Sequence, residues 1–119
     1  MTPKWVQNAI FYHIYPLGLL GAPQINDAHQ PVINRLSGLD PWLDHTQALG
    51  ANAIYLGPVF QSTSHGYDTV DYLQVDRRLG ENFDLADFSD NVHTRGMHLI
   101  LDGVFNHVGR DFWAFHDVR

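Results

Sequence analysis

Two glycines set the frame of this chain. Gly50 and Gly96 each stop a helix-like segment, and each is followed at once by a short apolar run, Ala51–Leu56 after the first and Met97–Leu101 after the second. Glycine supplies the left-handed residue that ends a helix. A short apolar run closed by Gly or Pro reads as a buried strand, and the closures here are Gly57 with Pro58, and Gly103. A third run, Ala9–Tyr15, is aromatic and β-branched and stops at Pro16 and Gly18, so it reads as the first strand.

The segments between the strands read as helices. Asp40 before Pro41 is a helix-start signal, an N-cap oxygen ahead of a residue whose missing N–H costs nothing in the first turn, and Leu43, Thr46 and Leu49 follow at helical spacing. The second helix is expected from Asn82 as N-cap through Leu85, Phe88 and Val92 to Gly96. The order strand, helix, strand, helix, strand implies a parallel sheet with right-handed crossovers. The long connections, Leu17–Leu39 and Val59–Gly80, both follow strands, whereas the turns from helix into strand are minimal. That asymmetry is the habit of a TIM (β/α)8 barrel with its site on the C-terminal face. The fold expected is therefore α/β, about three βα units forming the N-terminal portion of such a barrel, with residues 1–119 as a single partial domain.

Composition excludes several classes of function. Net charge is −6, so the chain lacks the basic footprint that nucleic acid or an anionic membrane needs. There is no cysteine, which removes disulfides, thiolate nucleophiles and Cys-based zinc sites. No apolar run approaches the roughly 20 residues needed to span a bilayer. Met1–Gln7 shows no apolar core of a secretory signal, and a cytoplasmic protein is the expectation.

Chemistry appears abruptly where the third strand ends, at Asp102-Gly103-Val104-Phe105-Asn106-His107. Asp, Asn and His within six residues can bind sugar hydroxyls, ligate a hard cation or move protons; read plainly, they are a capping Asp, a turn Asn and an exposed His. This stretch resembles the first signature region of the α-amylase family, glycoside hydrolase family 13. Tyr12–Pro16 resembles that family's first barrel strand, Leu49–Phe60 its second, and His65-Gly66-Tyr67-Asp68-Thr69-Val70-Asp71-Tyr72 the loop that follows. The stretches keep the family's order and spacing, and their wording most resembles members of the cyclomaltodextrinase and neopullulanase type.

The resemblance implies roles residue by residue. Tyr67 matches a tyrosine that stacks on the glucose ring at the cleavage subsite, where a flat π-face suits an apolar sugar face. Asp68 matches a carboxylate that binds glucose hydroxyls, His107 an imidazole that holds a hydroxyl of the same glucose, and Asp102 an aspartate that supports the floor of the site. Asn106 matches a calcium ligand of many members, and its hard oxygen suits that ion. The substrate implied is an α-glucan or maltooligosaccharide. Retaining glycosidases need a nucleophile and an acid about 5 Å apart. In the family these follow strands four and five, so no catalytic residue is expected between Met1 and Arg119, and this stretch alone is expected to be inactive.

Plainer readings stand beside these. Tyr67 and Tyr72 can cover the barrel rim, and Asp68, Asp71 and Asp76 can cap their own turns. His13, His45, His93 and His98 are assigned to packing or surface, Arg77 and Arg78 to a solvated pair, and His65 to a loop tip within reach of a ligand. Trp113 and Phe115 either begin the insertion that follows the third strand in the family or anchor sugar. Two rival functions remain: a non-catalytic barrel serving as an interaction domain, and an open-sheet sugar-binding module. Three strands with open edges are expected to be marginally stable or self-associating on their own.

Overall fold

The computed structural model describes residues 1–118; Arg119 lies outside them. The strands are β1 (Phe11–Ile14), β2 (Ala53–Leu56), β3 (Phe60–Ser62), β4 (Thr69–Val75) and β5 (His98–Leu101). The helices are α1 (Pro16–Leu19), α2 (Asp40–Ala48), α3 (Asn82–Thr94) and α4 (Trp113–Val118). Among the described residues no helix is long and apolar enough to cross a membrane.

Strands β1, β2 and β5 form a parallel sheet in that order, with Tyr12, Ile54 and Leu99 in one row and Ile14, Leu56 and Leu101 in another. Strand side chains alternate between faces, and this apolar set points at the helices, where it joins Leu43 of α2 and Phe88 and Val92 of α3 in one core. Tyr12 anchors α2 directly, stacking on Trp42 and meeting His45 edge-on. The opposite face carries Phe11, His13, Tyr55, His98 and Ile100. There Trp5 stacks on His98 at 4.1 Å, and His13 packs on Tyr55. The packing roles expected of His13, His45 and His98 hold. Strand β5 was expected to be fully buried and is half-exposed along its length, because it is an edge of the sheet with only one face covered.

The two helix starts differ from expectation in an instructive way. Asp40 does not cap α2: a 3₁₀ turn over Leu36–Leu39 runs straight into the helix, and Asn34 Oδ1 accepts the Ser37 amide at the head of that turn. For α3 the N-cap is Glu81, whose amide donates to Asp84 Oδ2 at 2.7 Å in a capping box. Asn82 is released for another task. Its Oδ1 accepts the Val75 amide at 2.8 Å and its Nδ2 donates to the Leu73 carbonyl, so it ties α3 to β4.

The expected loop Val59–Gly80 instead contains an antiparallel hairpin, β3 with β4, whose register is broken by bulge-like shifts on either side of Gln61. Arg78, expected to be solvated, lies buried just beyond it against fully buried Asp76. Asp76 accepts from the Arg78 amide and two of its guanidinium nitrogens, and from the Ser62 amide and hydroxyl. Arg78 Nη1 reaches on to the Pro23 carbonyl at 2.7 Å, and Arg77 Nη1 to those of Ala28 and Gln30. The adjacent arginines therefore fasten the connection after β1 onto the hairpin. That connection also opens with the helical turn α1, which its irregular sequence had hidden.

Candidate functional site

The site lies beyond the C-terminal ends of β1, β2 and β5. The Gly57 amide donates to the Ile14 carbonyl and the Asp102 amide to the Leu56 carbonyl, so the ladder runs one residue past each strand and delivers Asp102 to the rim. The hairpin turn Thr63–Asp68 leans over this rim from the β1 side. Tyr15 Oη donates to the His65 carbonyl at 2.7 Å. Gly66 sits against Pro58 at φ +96, where a Cβ would come within 2.8 Å of the proline ring. Only glycine fits both the conformation and the contact.

The segment after β5 closes on the hairpin from the other side. Tyr72 Oη donates to the Val104 carbonyl and, at 3.3 Å, to that of His107, while its ring packs on Phe105 and Phe112. The Gly109 amide donates to the Thr69 carbonyl, and a Cβ on Gly109 would lie 2.5 Å from the Asp68 carbonyl oxygen. Thr63 Oγ1 donates to Asp111 Oδ2. A short motif in sequence thus becomes a loop held at several points by a different element.

Of the five residues singled out from the sequence, Tyr67 and Asp102 are brought together. Partial desolvation, with the Asp102 carboxylate beside them, pushes the phenols of both Tyr67 and Tyr55 above the ordinary value. Tyr67 stays 39% exposed, open to a ligand. Asp68 turns instead into its own loop: Ser64 Oγ donates to Oδ2 at 2.5 Å and the Ser64 amide to Oδ1 at 3.2 Å. Burial would raise the Asp68 carboxyl, but these donors outweigh it and hold the group below its usual range. His107 is exposed, with its backbone fixed by Tyr72. Asn106 is exposed beside it.

A calcium ion takes six to eight oxygen ligands. Among the described residues no three His, Cys, Asp or Glu side chains converge to hold a metal.

Sequence reasoning missed Tyr15, Tyr55 and Ser64 as parts of the site, and it left Tyr72 as rim cover. Tyr15 carried a signal, since it is the last residue of the first apolar run before Pro16. Tyr55 lay in the strand at a position facing away from the helices. Next to the turn, a cleft of about 450 Å³ opens between Tyr15, Leu17, Pro23, Ile25, His65 and Arg78.

Comparison with known proteins gives a consistent answer. Residues 23–119 match the alpha amylase catalytic domain family. The chain is 38% identical to a cyclomaltodextrinase from a Bacillus species and 36% identical to neopullulanase 2 of Thermoactinomyces vulgaris, each match covering 98% of the chain and 23% of the relative. It therefore spans about a quarter of the length of these relatives. Among solved structures, the cyclic α-maltosyl-(1→6)-maltose hydrolase of Arthrobacter globiformis, in complex with that sugar, superposes with a TM-score of 0.81 at 35% identity, over 98% of this chain and 29% of the other.

Proposed function

This chain belongs to the α-amylase family, and from that premise we propose that it supplies part of the glucose-binding floor of a glycoside hydrolase acting on α-glucosidic bonds. Its residues form the first βα units of the barrel, a single partial domain in a cytoplasmic protein. The substrates are maltooligosaccharides, cyclomaltodextrins or starch-like glucans, cleaved by double displacement with retention. The observation that carries the reading is the meeting of Tyr67 and Asp102 beyond the C-terminal ends of parallel strands, with the tyrosine ring still open to solvent.

In this reading Tyr67 offers its π-face to the apolar face of a glucose. Asp102, beside it, accepts from sugar hydroxyls or holds the ring of Tyr67 in place. His107 presents its imidazole at the same rim. Asp68 orders the turn through Ser64 and uses its remaining lone pairs on hydroxyls. Asn106 donates its amide oxygen to calcium only if further ligands come from outside these residues. The nucleophile and the acid are likewise assigned to residues outside this stretch.

The test compares this chain with the chain extended to the natural end of its gene, on maltoheptaose and cyclomaltodextrin. Hydrolysis with retention by the extended form alone, lowered about fivefold or more in kcat/KM by Tyr67→Ala, is the expected result, since stacking on a flat π-face is worth about 1 kcal/mol or more. Inactivity of both forms, with no binding of either sugar, would move the assignment to a non-catalytic relative.

A further inference from the structure

His65 stands between the two residues whose pose matters most to the site, and one of its atoms faces both. Nδ1 accepts the Tyr67 amide at 3.1 Å. The same Nδ1 lies 3.7 Å from Asp68 Oδ1. These two uses require opposite protonation states. Accepting an N–H needs a lone pair on Nδ1, which places the ring proton on Nε2; pairing with a carboxylate needs a proton on Nδ1. The His65 backbone is pinned meanwhile by Tyr15 Oη on its carbonyl, so the ring can change partner while its backbone stays in place. Its side chain is 61% exposed, and protons reach it from water.

The geometry points to His65 as a positioning residue, a proton-operated latch on Tyr67. When neutral, it fixes the Tyr67 amide and with it the ring above Asp102. When protonated, it turns its new N–H to Asp68 and releases that amide. The inference rests on the reading that Tyr67 contacts sugar, and adds to it a dependence on pH that no motif records.

The charged and titratable surroundings favour such an exchange. Within the turn, Asp68 is held ionised by Ser64 and is the anion nearest the ring. Tyr67 itself packs at 6.0 Å between ring centres. From the end of β1 comes the Tyr15 hydroxyl. Across the cleft Arg78 is already neutralised by Asp76, and Asp111 is bound to the Thr63 hydroxyl.

The test is a pH titration of ¹⁵N-labelled protein by NMR, following the His65 ring nitrogens and the Tyr67 amide from about pH 8 to pH 5, repeated with maltotriose. The Tyr67 amide shift should move with the same midpoint as His65, and maltotriose should bind about fivefold more weakly at the acid end, the equivalent of one lost hydrogen bond. His65→Gln, whose amide oxygen accepts without titrating, should keep the high-pH affinity and remove the pH dependence. If the Tyr67 amide ignores the His65 midpoint, the latch is wrong even where sugar binds well. If the two titrate together but maltotriose never binds, the latch stands as geometry and the sugar reading falls.

Discussion

Replacing Arg78 by methionine should be among the most damaging single changes outside the apolar core. The substitution keeps much of the side-chain volume but leaves the Asp76 carboxylate, fully buried, with only the Ser62 amide and hydroxyl and the amide of residue 78 as donors. Breaking a buried pair from one side costs about 3–5 kcal/mol, because an uncompensated charge remains inside. The Pro23 and Gln24 carbonyls lose their guanidinium donor as well. Against a domain stability of roughly 5–15 kcal/mol, this is a large share. The assay is urea unfolding of wild type, Arg78→Met, Asp76→Asn and the double variant. If the stranded carboxylate is the cause, Asp76→Asn in the Arg78→Met background should recover about 1–3 kcal/mol, the coupling expected of directly bonded neighbours. A loss below about 1 kcal/mol for Arg78→Met, or additive effects in the double variant, would refute the argument that this pair fastens the hairpin.

Three further outcomes follow from the site. Ser64→Ala should destabilise by about 1 kcal/mol at pH 7. Because Asp68 titrates lower in the folded state than in the unfolded one, that contribution is present above about pH 4 and fades as the pH falls through the folded-state value, so wild type and variant should converge in acid. Asp102→Asn should lower the midpoint of the highest-titrating tyrosines in an ultraviolet phenolate titration, since the carboxylate adds to desolvation in raising both Tyr55 and Tyr67; an unchanged midpoint would place the carboxylate elsewhere. Gly109→Ala should cost about 1–3 kcal/mol by overpacking, because its Cβ would meet the Asp68 carbonyl, and hydrogen exchange at residue 109 should lose its protection.

What the sequence made legible was whatever one residue decides locally. Gly50 and Gly96 end their helices at φ +83 and +73, as their positions implied, and the parallel sheet with its core of Ile54, Leu56, Phe88 and Val92 follows from the apolar periods. What stayed hidden was decided by partners far along the chain. Asn82 looked like a cap, yet a glutamate one residue earlier does that work and the asparagine bonds β4 instead. Arg78 looked solvated because nothing local shows that Asp76 turns inward with it. The hairpin was hidden because Thr69–Val75 alternates only weakly, with Asp71 and Gln74 breaking the pattern, and its partner strand is three residues long. Asp102 and Tyr67 were found through their resemblance, but their meeting depends on Tyr15 and Tyr72, which no short-range rule selects.

The hairpin has a consequence for how the site is kept in shape. Parallel sheets are ordinarily covered on both faces, yet here the face bearing Phe11, Tyr55 and Ile100 is only partly shielded by Trp5, and Phe11 remains 48% exposed. In a closed barrel that face turns inward. The rim residues do not depend on it alone, because Tyr15, Tyr72 and Gly109 clamp the turn and the motif loop to each other through bonds that lie above the sheet. Loosening the sheet should therefore cost stability before it alters the pose of Tyr67, whereas cutting the clamp with Tyr72→Phe removes both carbonyl contacts at once while keeping the ring. Such a variant should hold its secondary structure yet free the backbone of residues 104–107, so its effect belongs in sugar affinity more than in melting temperature.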